Sequence, residues 1–125
     1  MNKEVIFTND APKAIGPYVQ AITSNGVIYA SGQLGINAVT GELEEGLEAQ
    51  AHAVMKNIGA ILKEVGADYK NIVKTTVFIT DMNNFAAVNS IYESYLMGSF
   101  PARSCVEISK LPKGGLIEIE FIAVL

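Results

Sequence analysis

One cysteine, Cys105, one histidine, His52, and no tryptophan occur among the 125 residues. A lone cysteine excludes a disulfide within the chain. With a single histidine beside it, the usual soft ligands cannot assemble a zinc cluster in one chain. No apolar run approaches the ~20 residues that a membrane helix requires. The opening Met1-Asn2-Lys3-Glu4 mixes charges where a secretory signal would turn apolar. These absences set the expectation of a reducing, cytoplasmic location. Charge is also scarce, at 18% of residues, and 9 Lys+Arg stand against 13 Asp+Glu for a net charge of −4. Nucleic acid requires a clustered basic face, as does an anionic membrane surface. No such cluster exists, so neither partner is expected. No glycine pattern matches a P-loop or a dinucleotide fingerprint, and Gly114-Gly115, behind Pro112, reads as a turn. Neither repeat nor linker nor charge block divides the chain, which reads as a single domain over 1–125.

Half the residues are hydrophobic. A chain of this size buries roughly two-thirds of its extended surface, and the apolar excess points to further burial against another subunit. A short strand is expected at Val5-Ile6-Phe7. Residues 20–24 and 27–31 flank Asn25-Gly26, the signature of a type I′ hairpin. From Leu47 the period changes: Ala51, Val54, Met55, Ile58, Ile61, Leu62 and Val65 recur at three- and four-residue steps before Gly66, which predicts an amphipathic helix. Residues 72–79 are β-branched and read as a strand. Asp81 can cap a second helix carrying Phe85, Val88, Tyr92, Tyr95 and Leu96 on one stripe before Gly98. Strands are expected again at 103–108 and 116–125. The order is three strands, helix, strand, helix, two strands, an α+β pattern of one sheet with both helices on one face. In the last strand Ile117, Ile119, Phe121 and Ala123 share the parity that meets the helices. Leu116, Glu118, Glu120, Ile122 and Val124 share the other, too apolar for a free solvent face. A sheet from another subunit is the economical cover.

Arg103 is the most informative single residue, a cation at the start of a short apolar strand. Its rigid fork can clamp a carboxylate through two bonds, or it can form an ordinary salt bridge to an acidic side chain. Glu118 is either that structural partner or a general acid/base whose pKa burial raises. Cys105 reads as a small buried hydrophobe or, with a matched base, a nucleophile. Tyr18 follows Gly-Pro in a loop, where an aromatic staples the fold or covers a pocket. Ser31 ends the hairpin strand before Gly32, whose backbone allows close approach of a ligand. Asn89 reads equally as an exposed polar position on the second helix. His52, at the edge of the first helix's apolar stripe, reads as a boundary residue, since no nucleophile pairs with it.

Five segments in order, Ala14-Ile15-Gly16-Pro17-Tyr18, Ser31-Gly32-Gln33, Val73-Lys74-Thr75-Thr76-Val77-Phe78, Phe100-Pro101-Ala102-Arg103-Ser104 and Ile117-Glu118-Ile119-Glu120, resemble the Rid family. The likeness is to its RidA branch of enamine/imine deaminases and runs from about Ala11 to the last strand. The resemblance implies a chorismate-mutase-like α+β fold, one mixed sheet with two helices on one face, assembled as a homotrimer with sites at subunit clefts. It implies that Arg103 holds a substrate carboxylate. Tyr18, Ser31, Gly32, Asn89 and Cys105 would line the pocket, and Glu118, rather than Glu120, would orient or activate water. The implied reaction is hydrolysis of short 2-imino acids such as 2-iminobutanoate and 2-iminopropanoate to 2-oxo acids, without metal or organic cofactor. A trimer that senses 2-oxo acids and acts on a partner protein is the competing expectation. RNA cleavage, attached to some members, fits the acidic balance least.

Overall fold

The computed structural model describes residues 3–125. Met1 and Asn2 of the expected domain lie outside the described residues. Six strands, β1 (Lys3–Ile6), β2 (Ala21–Ser24), β3 (Val27–Leu34), β4 (Ile72–Ile79), β5 (Ala102–Glu107) and β6 (Ile117–Val124), and two helices, α1 (Leu47–Glu64) and α2 (Phe85–Leu96), make up the chain. The strands form one sheet in the order β1-β2-β3-β6-β4-β5. Only the β4/β5 pair is parallel, and α2 supplies the crossover that a parallel pair demands. The expected mixed α+β sheet is therefore present.

Local chemistry explains the elements. Asn25 and Gly26 both adopt positive φ, 52° and 79°, as a type I′ turn requires. The end of α1 is a Schellman motif. Gly66, at φ 74°, donates its N–H to the Lys63 carbonyl, and Ala67 donates to that of Leu62. Asp81 does not cap α2 directly. Its carboxylate accepts the Asn83 N–H at the head of a short 3₁₀ turn over Met82–Asn84 that leads into the helix. β1 begins earlier than the apolar triplet suggests, because Lys3 and Glu4 pair with Ser24 and Thr23 on an exposed edge.

The core lies between the helices and one face of the sheet. Ile117, Ile119, Phe121 and Ala123 of β6 are buried with Val54, Ile58, Ile61 and Leu62 of α1 and Val88 and Leu96 of α2, as the strand's parity predicts. Two buried amides join the layers where apolar contact alone would leave polar groups unpaired. Asn57 donates to the carbonyls of Leu34 and Ile36. Gln50 donates to the Glu44 carbonyl and accepts the Leu116 N–H. Gly35 permits this approach, since a Cβ there would stand 2.5 Å from the Gln50 backbone. On the opposite face a second cluster of Leu34, Ile36 and Leu111, with Phe78 against it, closes one end, while among the described residues the other end lies open: Tyr29 and Val124 are 50% and 44% exposed, beside half-buried Ile122.

Candidate functional site

The candidate site residues divide into two groups. The first is built on an irregularity of β3. Its pairing with β6 shifts by one residue between Ala30 and Gln33, a bulge of the kind that re-aims side chains beside functional sites. The strand thus runs on to Leu34 and does not end at Ser31, because the glycine that looked like a terminus sits in the bulge. Ser31 donates its N–H to the Gln20 carbonyl and its hydroxyl to the Val19 carbonyl, at 3.0 and 2.6 Å. Gln20, itself buried, secures the preceding loop. Its Nε2 donates to the carbonyls of Thr8, Ala11 and Pro12, and its Oε1 accepts the Thr8 N–H at 2.8 Å. At the end of that loop half-exposed Tyr18 accepts the Ile15 N–H on its hydroxyl.

These segments enclose a cavity of about 610 Å³ lined by Tyr18, Ser31, Gly32 and Glu118, with Lys13 and Lys113 also on its wall. Gly32 matters for its missing side chain. A Cβ would stand 2.7 Å from the Glu118 carboxyl carbon, so the glutamate lies across the bulge in space that no other residue leaves free. Burial pushes the Glu118 carboxyl above the ordinary carboxylate range, and the charge of Glu120 adds to the rise. A raised pKa makes the carboxylate a stronger base than an ordinary one and so better able to take a proton.

The second group surrounds Arg103 on β5. Its Nη1 donates to Asn89 Oδ1 of α2 at 2.6 Å. The guanidinium carbon stands 5.4 Å from the Phe85 ring centroid and 5.2 Å from that of Tyr92. Tyr92 is fixed in turn by a 2.6 Å hydrogen bond between its hydroxyl and that of Thr75. Cys105, two residues along β5, packs against the core. Burial raises its thiol pKa, an effect partly offset by Arg103, so near neutral pH it is a thiol more than a thiolate nucleophile.

Strand register separates the two groups. Thr75 pairs with both Arg103 and Phe121, which puts Arg103 on the helix side of the sheet. Glu118 pairs with Phe78 and Leu34, on the opposite side. The expectation that Glu118 is Arg103's salt-bridge partner is therefore corrected: they occupy opposite faces of one chain because they differ in strand parity. Asn89, which also read as a plain exposed residue, contacts Arg103. His52 bonds Tyr95 across the exposed helical layer at 2.8 Å and belongs to neither group.

Several contributors escape a reading of the sequence. Phe85 and Tyr92 look like ordinary members of an apolar stripe, although their positions four before and three after Asn89 place them on its face. Gln20 immediately precedes β2, where nothing local distinguishes it from a solvent-facing amide. Lys13 and Lys113 reach the cavity through loops whose course depends on the tertiary fold.

A single mixed six-stranded sheet backed by two helices, with Arg103 held by Asn89 on one face and Glu118 beside a cavity on the other, defines a small α+β domain. The sequence profile of the family described as Endoribonuclease L-PSP matches residues 8–125, and the chain belongs to this family, also called Rid. A 2-iminobutanoate/2-iminopropanoate deaminase of Mus musculus is 48% identical over 123 residues, covering 98% of this chain and 91% of the mouse protein. The crystal structure of a protein of unknown function of the conserved Rid family from Yersinia pestis matches with a TM-score of 0.96 at 56% identity, over 98% of this chain and 99% of that one. E. coli TdcF with bound serine matches with a TM-score of 0.94 at 40% identity, over 98% of both chains. Among the described residues no helix is long and apolar enough to cross a membrane.

Proposed function

We propose that the protein hydrolyses short 2-imino acids, such as 2-iminobutanoate and 2-iminopropanoate, to 2-oxo acids and ammonia, in clefts shared between the chains of a homotrimer. The observation that carries this reading is the cavity beside Glu118, whose carboxyl pKa burial raises, together with an arginine that Asn89 holds on the other face of the sheet, two half-sites that contact between chains would bring together. The mouse relative's name and the serine bound to TdcF agree with a small carboxylate ligand. Arg103 of one chain holds the substrate carboxylate through the guanidinium edge that Asn89 leaves open. Glu118 of a neighbour, as carboxylate, takes a proton from water as the oxygen adds to the C=N carbon. The C=N electron pair moves to nitrogen, which takes that proton from Glu118, giving a neutral tetrahedral carbinolamine and restoring the carboxylate. When the C–N bond breaks, Glu118 takes the hydroxyl proton as the carbonyl forms and passes it to the departing nitrogen, which leaves as ammonia. Imines hydrolyse unaided, so orientation and one proton relay suffice. Tyr18 and Ser31 shape the cleft, and Cys105 borders it without supplying its thiol.

The open end of the sheet face supports the assembly. Left in water, Tyr29, Ile122 and Val124 form part of an apolar surface that subunit contact would bury. Val124→Asp places a carboxylate in that contact, where burial without a partner is costly. At micromolar concentration the variant is expected to sediment chiefly as monomer and to lose activity by roughly tenfold or more, with its chemical groups untouched. The direct test of the reaction is ammonia release from freshly generated 2-iminobutanoate above the buffer rate. No acceleration by the wild type, or an active monodisperse monomer, would overturn the corresponding half of the proposal.

A further inference from the structure

Arg103 is a long, flexible side chain asked to present one edge to a small ligand, and α2 surrounds it. Phe85, Asn89 and Tyr92 occupy positions i, i+4 and i+7 of one helix face. Asn89 accepts from Nη1 at 2.6 Å, while the guanidinium carbon lies 5.4 and 5.2 Å from the two ring centroids, inside the range of cation–π attraction. Tyr92 is anchored from the other side. Its hydroxyl bonds Thr75, a buried residue that is also Arg103's own register partner across β4 and β5. The contacts close a ring, Arg103 to Tyr92 to Thr75 and back to Arg103 through the sheet.

We infer that Phe85 and Tyr92 are positioning residues, an aromatic cradle that fixes the Arg103 guanidinium so that its remaining N–H edge meets a ligand carboxylate already oriented. This inference rests on the proposed carboxylate role of Arg103. The rings touch no substrate. They act by limiting the orientations of the cation and by withdrawing part of its hydration, which strengthens a charge-assisted bond. Phe85 is the informative member, since it is 37% exposed and its loss disturbs the core less than that of buried Tyr92.

The experiment compares Phe85→Leu, Phe85→Tyr and a ring-trifluorinated phenylalanine at position 85, which keeps the shape of the ring and removes most of its attraction for a cation. Thermal unfolding checks that each is folded. Three quantities are read: the dissociation constant for 2-oxobutanoate by calorimetry, KM and kcat on 2-iminobutanoate, and the mobility of the Arg103 Nε–H by ¹⁵N relaxation. The expected result is affinity weakened roughly three- to tenfold in the leucine and fluorinated proteins. KM rises in parallel while kcat holds, as for an interaction made equally in the ground and transition states. Arg103 becomes more mobile in both, and tyrosine restores all three readouts. A fluorinated protein with wild-type affinity and wild-type Arg103 mobility would overturn the cradle, since only packing would then be at work. Should the wild type neither bind 2-oxobutanoate nor release ammonia, the deaminase reading fails by itself. The relaxation measurement needs no ligand and still decides whether the rings hold the arginine.

Discussion

Arg103→Ala is expected to lower kcat/KM for 2-iminobutanoate by roughly two to three orders of magnitude, the loss of a two-bond charge-assisted contact to carboxylate. Most of the loss should appear as a raised KM together with weakened binding of 2-oxobutanoate, because the same carboxylate is present in substrate, transition state and product. The fold should survive. Arg103 is half-buried at β5 and donates to Asn89, and among the described residues no carboxylate is left unpaired by its removal. A rate of ammonia release equal to that of the wild type would show that the clamp is not part of the reaction.

Glu118→Gln separates chemistry from binding. The amide keeps the shape of the side chain that lies across Gly32 but cannot accept a proton from water. Binding of 2-oxobutanoate should stay within about threefold of wild type, while kcat falls by roughly 10²–10⁴. The pH dependence carries the same signature. The group must be deprotonated to take the first proton, and burial, aided by Glu120, raises its pKa. The enzyme-dependent rate should therefore climb with pH through a limb lying above the ordinary carboxylate range, and Glu118→Gln should abolish that limb. A glutamine variant that binds and also turns over normally would reassign the proton relay; a wild type that binds without turnover would favour a sensing role.

Much of the architecture is legible without coordinates because it rests on local rules. Asn25-Gly26 can hardly be anything but a tight turn, and the α1 stripe ends on a glycine in the conformation that glycine favours. The parity of β6 separates a buried face from an uncovered one before any contact is known. Tertiary pairing governs what escaped. Whether Arg103 and Glu118 meet depends on register between β4, β5 and β6, and one-residue spacing in a strand reverses the face. The bulge at Ser31-Gly32 looked like a strand end because glycine is common to both. The aromatic cradle was concealed for a different reason: a ring on an apolar stripe has the same sequence signature whether it packs against a leucine or a guanidinium.

The measurement that reaches the central claim most directly is complementation between two inactive proteins. Arg103→Ala and Glu118→Gln chains, denatured and refolded together in equal amounts, would exchange subunits at random. If each cleft takes its arginine from one chain and its glutamate from a neighbour, about one cleft in three of every mixed trimer, and so about a quarter of all clefts, regains both groups. Ammonia release should then recover to about a quarter of the wild-type value, and refolding each variant alone should recover none. Activity in the mixture no greater than the mean of the two parents would contradict a site shared between chains.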